Sequence, residues 1–326
     1  MTYSVKWQQP IEEQNTLVDL SIVIVSWNVA DLLTACLDSI LRGESAGQLA
    51  IEIIVVDSAS TDHTASVMRQ QYPQIQFVQQ TENLGFVRCS NIGLGIARGR
   101  NLLLLNPDTE IIGDALQTMT NYLDSHPDVG IVGPHTLNSD GTTQSSRRRF
   151  PTLLTALFES TWLQPYAPRA VLRHYYVNDQ PDDATFDVDW VQGSALMAKR
   201  AVYEQIGSFD EGYTMFSEEL DWCRRAKDVG WRVVYLGSAQ IIHHGGKSTE
   251  QVVARRHIHF QESKLRYFRK YHGRLVANGL RVFLILNYLW QIIVETGKAL
   301  LGHKRPMRRE RVRQYWQVLR SGLRVS

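Results

Sequence analysis

The feature that most constrains this chain is residues 100–112, RNLLLLNPDTEII, in which four consecutive leucines lead into a polar turn. A short, wholly apolar run bounded by turn residues predicts a strand that is buried on both faces. Pro107 has no amide hydrogen for a strand ladder, so strand pairing should end there. Asp108 would then follow the carboxyl end of a central strand, the edge where open α/β sheets bind ligands. Two interpretations stay open at this point: a ligand-binding aspartate and an ordinary Asn-Pro-Asp turn.

The segments before this run alternate between strand and helix patterns. Residues 20–25, 51–56 and 75–78 are apolar and rich in β-branched side chains, which predicts strands. Helical patterns follow the first two strands, and after a loop at residues 81–85 a small-residue helix leads to Gly99 and into the leucine run. This alternation predicts βαβ units and therefore an α/β fold with a mostly parallel central sheet flanked by helices. We expect residues 136–189 to be irregular and rich in turns.

Glycine placement argues against a dinucleotide-binding Rossmann domain. Such a domain needs glycines in its first strand-to-helix turn so that the backbone can approach a pyrophosphate. Here the first strand leads into SWNVADLL, which contains no glycine. The later GLGIARG lies inside a predicted helix, so we interpret Gly93 and Gly95 as close-packing residues.

The net charge of +2 conceals a strong asymmetry along the chain. Residues 251–326 carry 17 Lys and Arg but 3 Asp and Glu, whereas the preceding residues carry 18 and 30. An acidic body with a basic tail suggests an anionic partner for the tail: a lipid surface, a nucleic acid or a charged acceptor. A merely solvated basic face is the alternative, but it does not explain so uneven a division.

The ends and the cysteines of the chain bear on its compartment. The polar, partly acidic start is unlike a secretory signal. Cys36, Cys89 and Cys223 are far apart and lack metal or disulfide spacing, which suits a reducing cytoplasm.

Two further positions follow predicted strands and carry side chains suited to a site. Asp57 ends the second strand, where a carboxylate can accept a hydrogen bond from a pyrimidine ring, although a turn aspartate is the alternative. We interpret Asp62, a few residues later, as the cap of the helix that follows the second strand. His243 follows an apolar strand and precedes paired glycines, so it can reach a metal or a diphosphate, or it can be a structural histidine.

An acidic cluster, Glu218-Glu219-x-Asp221, opens a segment with a helical period. Carboxylates at a helix start gain from the helix dipole. Phe216, Leu220 and Trp222 interleave with these acids, which places them near apolar surface where a carboxylate pKa can be tuned for general-base catalysis. A solvated helix start is the alternative.

The series of motifs resembles the inverting glycosyltransferases of family 2, and within them the rhamnosyltransferase-like branch that builds bacterial surface polysaccharides. The resemblance covers roughly residues 20–248. It rests on eight motifs in order: SIVIVSWN, VVDSASTD, ENLGFVRCSNIG, LLLLNPDT, QSSRRRFPT, WVQGSALMAKR, IGSFDEGYTMFSEELDWCRRAKDVGW and IIHHGGKS.

This resemblance implies a GT-A fold, Rossmann-like, with a C-terminal helical extension. It implies an N-terminal extension at 1–19, a catalytic domain at 20–250 and a basic, aromatic tail at 251–326. The nucleotide-sugar half would span about 20–133 and the acceptor half about 134–250.

The resemblance also assigns a donor site. It implies that a nucleotide-sugar, dTDP-rhamnose or a UDP-sugar, is bound by Asp57, Asn83, Arg88, Asn106 and Asp108. Asp108 is similar to the family's last metal-ligating aspartate, so Mg²⁺ or Mn²⁺ is the implied cofactor. Asn106 stands where many relatives have the first aspartate of a D-x-D pair, which suggests that His243 is a second ligand.

For catalysis, the resemblance places Glu219 at the position of the base and Asp221 at that of a supporting acid. The acceptor would be a glycan or a lipid-linked glycan, bound by Trp190, Gly193 and Glu218. The alternative function is a non-catalytic protein of this fold that binds nucleotide, or nucleic acid through its basic tail. The intact acidic set argues against that alternative, so no nucleic acid partner is expected.

The tail contains an apolar stretch of 13 residues, 282–294, which alone is too short to cross a bilayer. It suits a helix lying in the membrane interface, with five basic residues on anionic headgroups: Lys304, Arg305, Arg308, Arg309 and Arg311. Packing on the catalytic domain, or in a homodimer, is the alternative. The expected location is cytoplasmic, peripheral on the inner face of the plasma membrane.

Overall fold

The computed structural model describes residues 18–43, 49–245, 253–302 and 304–324. Most of the expected N-terminal extension therefore lies outside the described residues. So do Gly246, Lys247 and Ser248 of the motif IIHHGGKS.

A large mixed sheet forms the centre of the molecule. The strands are β1 (Leu20–Ser26), β2 (Ile51–Asp57), β3 (Gln76–Gln79), β4 (Asn101–Leu105), β5 (Thr109–Ile111), β6 (Val129–Leu137), β7 (Thr143–Gln144), β8 (Arg147–Arg148), β9 (Thr185–Val188), β10 (Trp190–Val191), β11 (Ala195–Lys199) and β12 (Arg232–His243). The order in the sheet is β3-β2-β1-β4-β11-β6-β12-β5, with β7 beside β6 and β9 beside β12, whereas β8 and β10 pair separately.

Strands β3, β2, β1 and β4 are parallel neighbours. Strand β11 pairs antiparallel with both β4 and β6, and β12 pairs parallel with β6. The main strands β3, β2, β1, β4, β6 and β12 thus point one way, and their carboxyl ends share one edge. The prediction of a mostly parallel central sheet is confirmed.

Helices cover this sheet and extend beyond it. They are α1 (Ala30–Arg42), α2 (Thr64–Gln71), α3 (Gly85–Ile96), α4 (Ala115–Ser125), α5 (Leu153–Phe158), α6 (Arg169–Tyr176), α7 (Arg200–Ile206), α8 (Glu218–Asp228), α9 (Val253–His272), α10 (Arg274–Leu300) and α11 (Arg305–Ser321), with a 3₁₀ turn at Gln164–Tyr166. The expected C-terminal helical extension corresponds to α9, α10 and α11.

The leucine run behaves as its composition predicts. Every residue of β4 is buried, and side chains of a strand alternate between its faces. Leu102 and Leu104 join one hydrophobic core, whereas Leu103 and Leu105 join the core on the opposite side of the sheet. β4 ends at Leu105, before Pro107, as expected, so the turn that carries Asp108 is fixed by two cores at once.

The two glycines of the GLGIARG motif differ in role. A Cβ atom on Gly93 would lie 2.3 Å from Cγ1 of Val23, so Gly93 allows α3 to pack closely on β1. At Gly95 a Cβ would meet nothing within 4 Å. The packing interpretation is therefore confirmed for Gly93 and wrong for Gly95, which lies on the exposed side of α3.

The region expected to be irregular, 136–189, contains short helices and strands. Helix α5, the 3₁₀ turn and α6 form it together with β7, β8 and β9. These elements were not predicted because they are two to eight residues long, which is too short for a clear hydrophobic periodicity.

The tail packs on the α/β domain through one face. Leu265, Tyr267 and Phe268 of α9 are buried in the same core as β11 and α8. The apolar stretch 282–294 lies within α10, which has 27 residues and not 13. Among the described residues, α10 is a helix long and apolar enough to cross a membrane by length and composition.

One of the five basic tail residues does not face outward. Arg308 of α11 is buried, and its Nη1 donates to both carboxylate oxygens of Glu295 on α10, at 2.6 and 2.5 Å. The expectation that Arg308 meets lipid headgroups is wrong, because its charge is already matched inside the tail.

Candidate active site

A cavity of about 380 Å³ opens at the carboxyl ends of β1, β2 and β4. It lies where the topology of an open α/β sheet leads one to expect a ligand. The polar residues of its wall come from several segments of the chain: Ser58, Asn83, Asn106, Asp108, Thr214, Arg255, Arg256 and His259. We call it the first cavity.

Asp108 and His243 meet at the edge of this cavity. Nε2 of His243 lies 3.2 Å from Oδ1 of Asp108, and both side chains are largely buried. Nδ1 of His243 lies 2.6 Å from Oε1 of Gln144, a carbonyl that can only accept a hydrogen bond. That contact places a proton on Nδ1 and turns Nε2 toward Asp108, where Nε2 carries a lone pair in the neutral ring and is a donor in the imidazolium. The amide of Asn106 lies 3.4 Å from the same Nε2.

This pair fits one side of a divalent metal site. Neighbouring ligands of an octahedral Mg²⁺ at 2.0–2.1 Å lie about 3 Å apart, close to the Asp108–His243 spacing. A histidine whose other nitrogen bonds a carbonyl is the usual arrangement for a metal ligand. Within the described ranges, no group of three or more His, Cys, Asp or Glu side chains could hold a metal. A metal here would therefore need ligands from a bound phosphate group or water.

The neighbouring His244 is held differently. Its Nε2 lies 2.6 Å from Glu110, and its Nδ1 lies 2.7 Å from Ser139. Both ring nitrogens of His244 are thus engaged away from Asp108, which distinguishes the two histidines that the sequence presents side by side.

The other residues assigned to the donor take different positions. Asn83 lies on the wall of the first cavity, where its Oδ1 accepts from Ser58 Oγ at 3.0 Å. Asp57 is fully buried behind the wall, and its two oxygens accept from the amide and the hydroxyl of Ser60, at 3.0 and 2.5 Å. Arg88 is exposed on α3 and pairs with Glu211 at 3.6 Å.

The first cavity also has residues that sequence reasoning missed. Arg255, Arg256 and His259, from the first turns of α9, line it together with Asp108. Burial lowers the pKa of His259, and the charge of Arg255 lowers it further. The basic tail therefore contributes directly to the cavity. The only sequence feature that could have indicated this contribution is the pair of adjacent arginines, Arg255 and Arg256, near the start of the tail.

A second cavity, of about 120 Å³, lies beside the first. Glu219, Trp190, Arg148 and Lys264 line it, together with Phe216 and Phe260. The segment from Thr214 to Ser217 separates the two cavities, since Thr214 and Met215 line the first and Phe216 and Ser217 line the second. We call this segment the dividing wall.

The dividing wall carries unusual backbone geometry. Phe216 and Ser217 both have left-handed conformations, with φ of 70° and 64°. Such geometry costs non-glycine residues on the order of 1 kcal/mol each. The ring of Phe216 packs edge-on against Phe260 of α9, at 5.7 Å. This turn sets the start of α8 and thus the direction of Glu219.

Glu218 and Glu219 lie side by side in different surroundings. Burial raises the pKa of Glu218 well above its ordinary value, and the neighbouring carboxylate raises it further. Burial also raises the pKa of Glu219, but backbone amides, including that of Gly193, and the charge of Arg148 oppose the rise. Among the described residues, Oε2 of Glu219 has no hydrogen-bond partner. Two carboxyls whose surroundings push their pKa values apart suit one neutral and one ionised partner.

Trp190, Gly193 and Arg148 surround Glu219. A Cβ on Gly193 would lie 3.7 Å from Cγ of Glu219, so the glycine lies directly against the carboxylate stem. Arg148 is buried, with its guanidinium 4.6 Å from the Tyr176 ring and 5.9 Å from the Trp190 ring. Arg148, the second arginine of the motif QSSRRRFPT, is therefore enclosed by aromatic rings next to the acid.

Asp221 has another environment. Its carboxylate is fully buried, and it bonds Nε of Arg225 at 2.9 Å, Nζ of Lys270 at 2.7 Å and the hydroxyl of Tyr271 at 2.9 Å. In the part of the chain that the structure describes, Asp221 lines neither cavity. It joins α8 to α9.

Comparison with known proteins adds to this geometry. The family model described as "Glycosyl transferase family 2" matches residues 21–192. The chain is 27% identical over 241 residues to the N-acetylglucosaminyl-diphospho-decaprenol L-rhamnosyltransferase of Mycobacterium tuberculosis, covering 71% of this chain and 77% of that protein. It is 23% identical over 277 residues to the rhamnosyltransferase WbbL of Escherichia coli, covering 79% and 94%.

The fold has a counterpart among solved structures. The mannosyltransferase PcManGT from Pyrobaculum calidifontis, solved with GDP-Man and Mn²⁺, superposes with a TM-score of 0.55 at 18% identity, covering 94% of this chain and 86% of that one. At this identity the likeness concerns the fold, and it agrees with the predicted GT-A type.

Proposed function

The chain belongs to glycosyl transferase family 2, and we propose that it transfers a sugar from a nucleotide-sugar to a glycan or lipid-linked acceptor with inversion at the anomeric carbon. The observation that carries this proposal is the pair of adjoining cavities. One is rimmed by Asp108, His243 and two arginines, and the other is lined by Glu219. A donor and an acceptor can then meet at the dividing wall.

On the donor side, we assign the nucleoside diphosphate to the first cavity. Asn83, Ser58 and Asn106 offer hydrogen-bonding groups, while Arg255 and Arg256 offer positive charge to the phosphates. Asp57 supports this wall by holding the loop around Ser60. Arg88, which is exposed and paired with Glu211, would reach the donor only after a change of its rotamer.

A divalent cation, Mg²⁺ or Mn²⁺, would be held by Asp108 and His243, with Asn106 beside them. When bound, it would stabilise the negative charge that develops on the departing diphosphate. The proposal for this cation rests on the spacing of the two side chains, the hydrogen bond that orients the His243 ring on Gln144 and the Mn²⁺ of the solved structure with the same fold.

On the acceptor side, Glu219 would act as the base. Its carboxylate would accept the proton of the acceptor hydroxyl as that oxygen attacks the anomeric carbon, and the bond to the diphosphate would break on the opposite face. Gly193 and Trp190 would shape the acceptor site, and Arg148 would keep Glu219 ionised. Glu218 would remain neutral beside it, and Asp221 would position α8 through its bonds to α9.

The relatives favour a rhamnosyl donor and a role in bacterial cell-surface polysaccharide synthesis, since both are rhamnosyltransferases. We propose dTDP-rhamnose as the first donor to test and a UDP-sugar as the second. The non-catalytic alternative is not favoured, because the family and these relatives are glycosyltransferases. A lipid-linked acceptor would agree with a cytoplasmic protein peripheral on the plasma membrane. Homodimer formation stays a prediction.

A thermal-shift panel tests this function. We expect dTDP or UDP, and their sugar conjugates, to raise the melting temperature more in the presence of Mn²⁺ or Mg²⁺ than with EDTA. The donor that shifts most would then be incubated with candidate acceptors and the product linkage read by NMR. No stabilisation by any nucleoside diphosphate, with or without metal, would contradict the proposal.

A further inference from the structure

Helix α10 has two unlike faces. Leu280, Leu284 and Tyr288 are buried against the rest of the protein. On the other side, Val282, Leu286, Leu289 and Ile293 are exposed by 57%, 59%, 40% and 63%. Their spacing of four, three and four residues keeps these four side chains on one stripe of the helix.

An aromatic cluster continues this stripe onto the catalytic domain. The rings of Trp162 and Trp290 lie 6.0 Å apart, and those of Trp162 and Tyr166 lie 6.2 Å apart. All three side chains are substantially exposed, by 41%, 48% and 72%. The amide of Trp162 donates to Oδ1 of Asn287 at 3.0 Å, which fixes the loop to α10. Together these seven side chains form what we call the apolar platform: Trp162, Tyr166, Val282, Leu286, Leu289, Trp290 and Ile293.

The apolar platform lies close to the second cavity. Glu159, three residues before Trp162, lines that cavity. Lys264, which also lines it, donates to the carbonyl of Glu159 at 3.0 Å. The short segment from Glu159 to Trp162 therefore connects the wall of the acceptor cavity to the exposed aromatic cluster.

We propose that the apolar platform rests on the surface of an anionic lipid bilayer, with α10 parallel to the membrane and the second cavity near the headgroups. This inference rests on the proposed function, because it supplies the route by which a lipid-linked acceptor reaches Glu219. Tryptophan and tyrosine are the side chains favoured at the membrane–water interface. Basic residues of α11 would then face anionic headgroups.

Two other uses of this surface fit the structure less well. A membrane-spanning α10 would have to leave its buried face, which holds Asn287 and the ion pair between Glu295 and Arg308. Pairing with a second copy through the stripe would bring together two tails with exposed basic residues, among them Arg305, Arg309 and Arg313. Like charges oppose that pairing, whereas anionic lipid complements it.

Vesicle flotation of the full chain tests the platform. We expect the protein to float with vesicles of phosphatidylcholine and phosphatidylglycerol, and much less with phosphatidylcholine alone. The double variant Leu286→Ser/Ile293→Ser should reduce the bound fraction about tenfold, because it removes two apolar side chains from the interface. The matched control Leu41→Ser/Ile96→Ser changes two side chains with 40% and 39% exposure on the nucleotide half, and it should float like the wild type.

Two further readouts make the result decisive. If the double variant floats as well as the wild type, or if it converts a dimer into a monomer by light scattering, the platform is not a membrane surface. Melting temperatures equal to the wild type show that the variants fold. Binding of nucleoside diphosphate with Mn²⁺, measured without vesicles, tests the proposed function separately. Loss of flotation with intact nucleotide binding supports the platform, and intact flotation without nucleotide binding would contradict the function alone.

Discussion

His243 presents its Nε2 to Asp108 at 3.2 Å, and Gln144 on the other side of the ring accepts a hydrogen bond from Nδ1. In the neutral ring this places a nitrogen lone pair beside a carboxylate oxygen, an arrangement that a bound cation would stabilise. The site offers one carboxylate where a D-x-D pair would offer two, so the phosphates of the donor would have to complete it.

Removal of either ligand should abolish the effect of metal on donor binding. We expect Asp108→Asn and His243→Ala to weaken nucleoside diphosphate binding in Mn²⁺ at least about tenfold, while leaving the weak binding in EDTA unchanged. His244→Ala, which alters the adjacent histidine bonded to Glu110, is the matched control and should stay near the wild type. Isothermal titration with and without Mn²⁺ measures this. Equal metal dependence in all three variants would contradict the assignment.

The arginines of α9 should matter for the donor more than for the acceptor. Arg255→Ala and Arg256→Ala each remove a cation from the first cavity, so the KM for the donor should rise about tenfold, as expected for the loss of a charge-assisted hydrogen bond. Arg313→Ala removes an equally basic but 78% exposed side chain of α11 and serves as the control. Steady-state kinetics at two salt concentrations would measure it. An unchanged donor KM with a raised acceptor KM would place these residues elsewhere.

Asp221 should act through stability. Asp221→Asn leaves Arg225 and Lys270 without their buried partner, which should lower the free energy of unfolding by about 3 kcal/mol. Urea unfolding measures this directly. If the variant is as stable as the wild type but has lost transfer activity, Asp221 takes part in the chemistry itself.

Glu218 should make stability depend on pH. Its pKa is raised above 4.5 in the folded chain, so the folded state holds the proton more tightly than the unfolded state. Stability contributed in this way is present below the unfolded pKa and is lost as pH rises toward the folded pKa. Glu218→Gln resembles the neutral acid, so its melting temperature should exceed that of the wild type by more at about pH 8 than at about pH 5. Glu82→Gln makes the same replacement at an exposed position and serves as the control.

Most of the fold could be predicted from the sequence because the patterns that indicate its strands and helices are local. The leucine run, the β-branched strands and the alternation with helices each follow from burial and period. The full length of α10 could not be predicted from the sequence, because Asn287 interrupts the apolar pattern. In the fold Asn287 is buried and accepts a hydrogen bond from the amide of Trp162, which is distant in sequence. The prediction that Arg308 faces lipid failed for the same reason, because its ion pair with Glu295 forms only when α10 and α11 pack together.

The residues of the candidate site could be predicted from the sequence only where they lie at the end of a predicted strand. Asp108 follows β4 and His243 ends β12, and these two strands run to the same edge of the sheet, so their convergence could be expected from topology. The presence of Arg255, Arg256 and His259 could not be expected, because they belong to α9, a helix outside the strand-and-helix pattern of the sheet. The difference between Glu218 and Glu219 depends on Gly193 and Arg148, which are distant in sequence and adjacent only in the fold.

The central claim is that Glu219 is the base, and the variant Glu219→Gln tests it most directly. We predict that kcat falls about 10²- to 10⁴-fold while donor affinity, measured by titration in Mn²⁺, stays within about twofold of the wild type. In the wild type, kcat/KM should fall on acidification with an apparent pKa above the ordinary glutamate value near 4.5, because burial raises the pKa of Glu219. If Glu219→Gln instead loses donor binding and transfer to the same extent, Glu219 is structural and the account is contradicted.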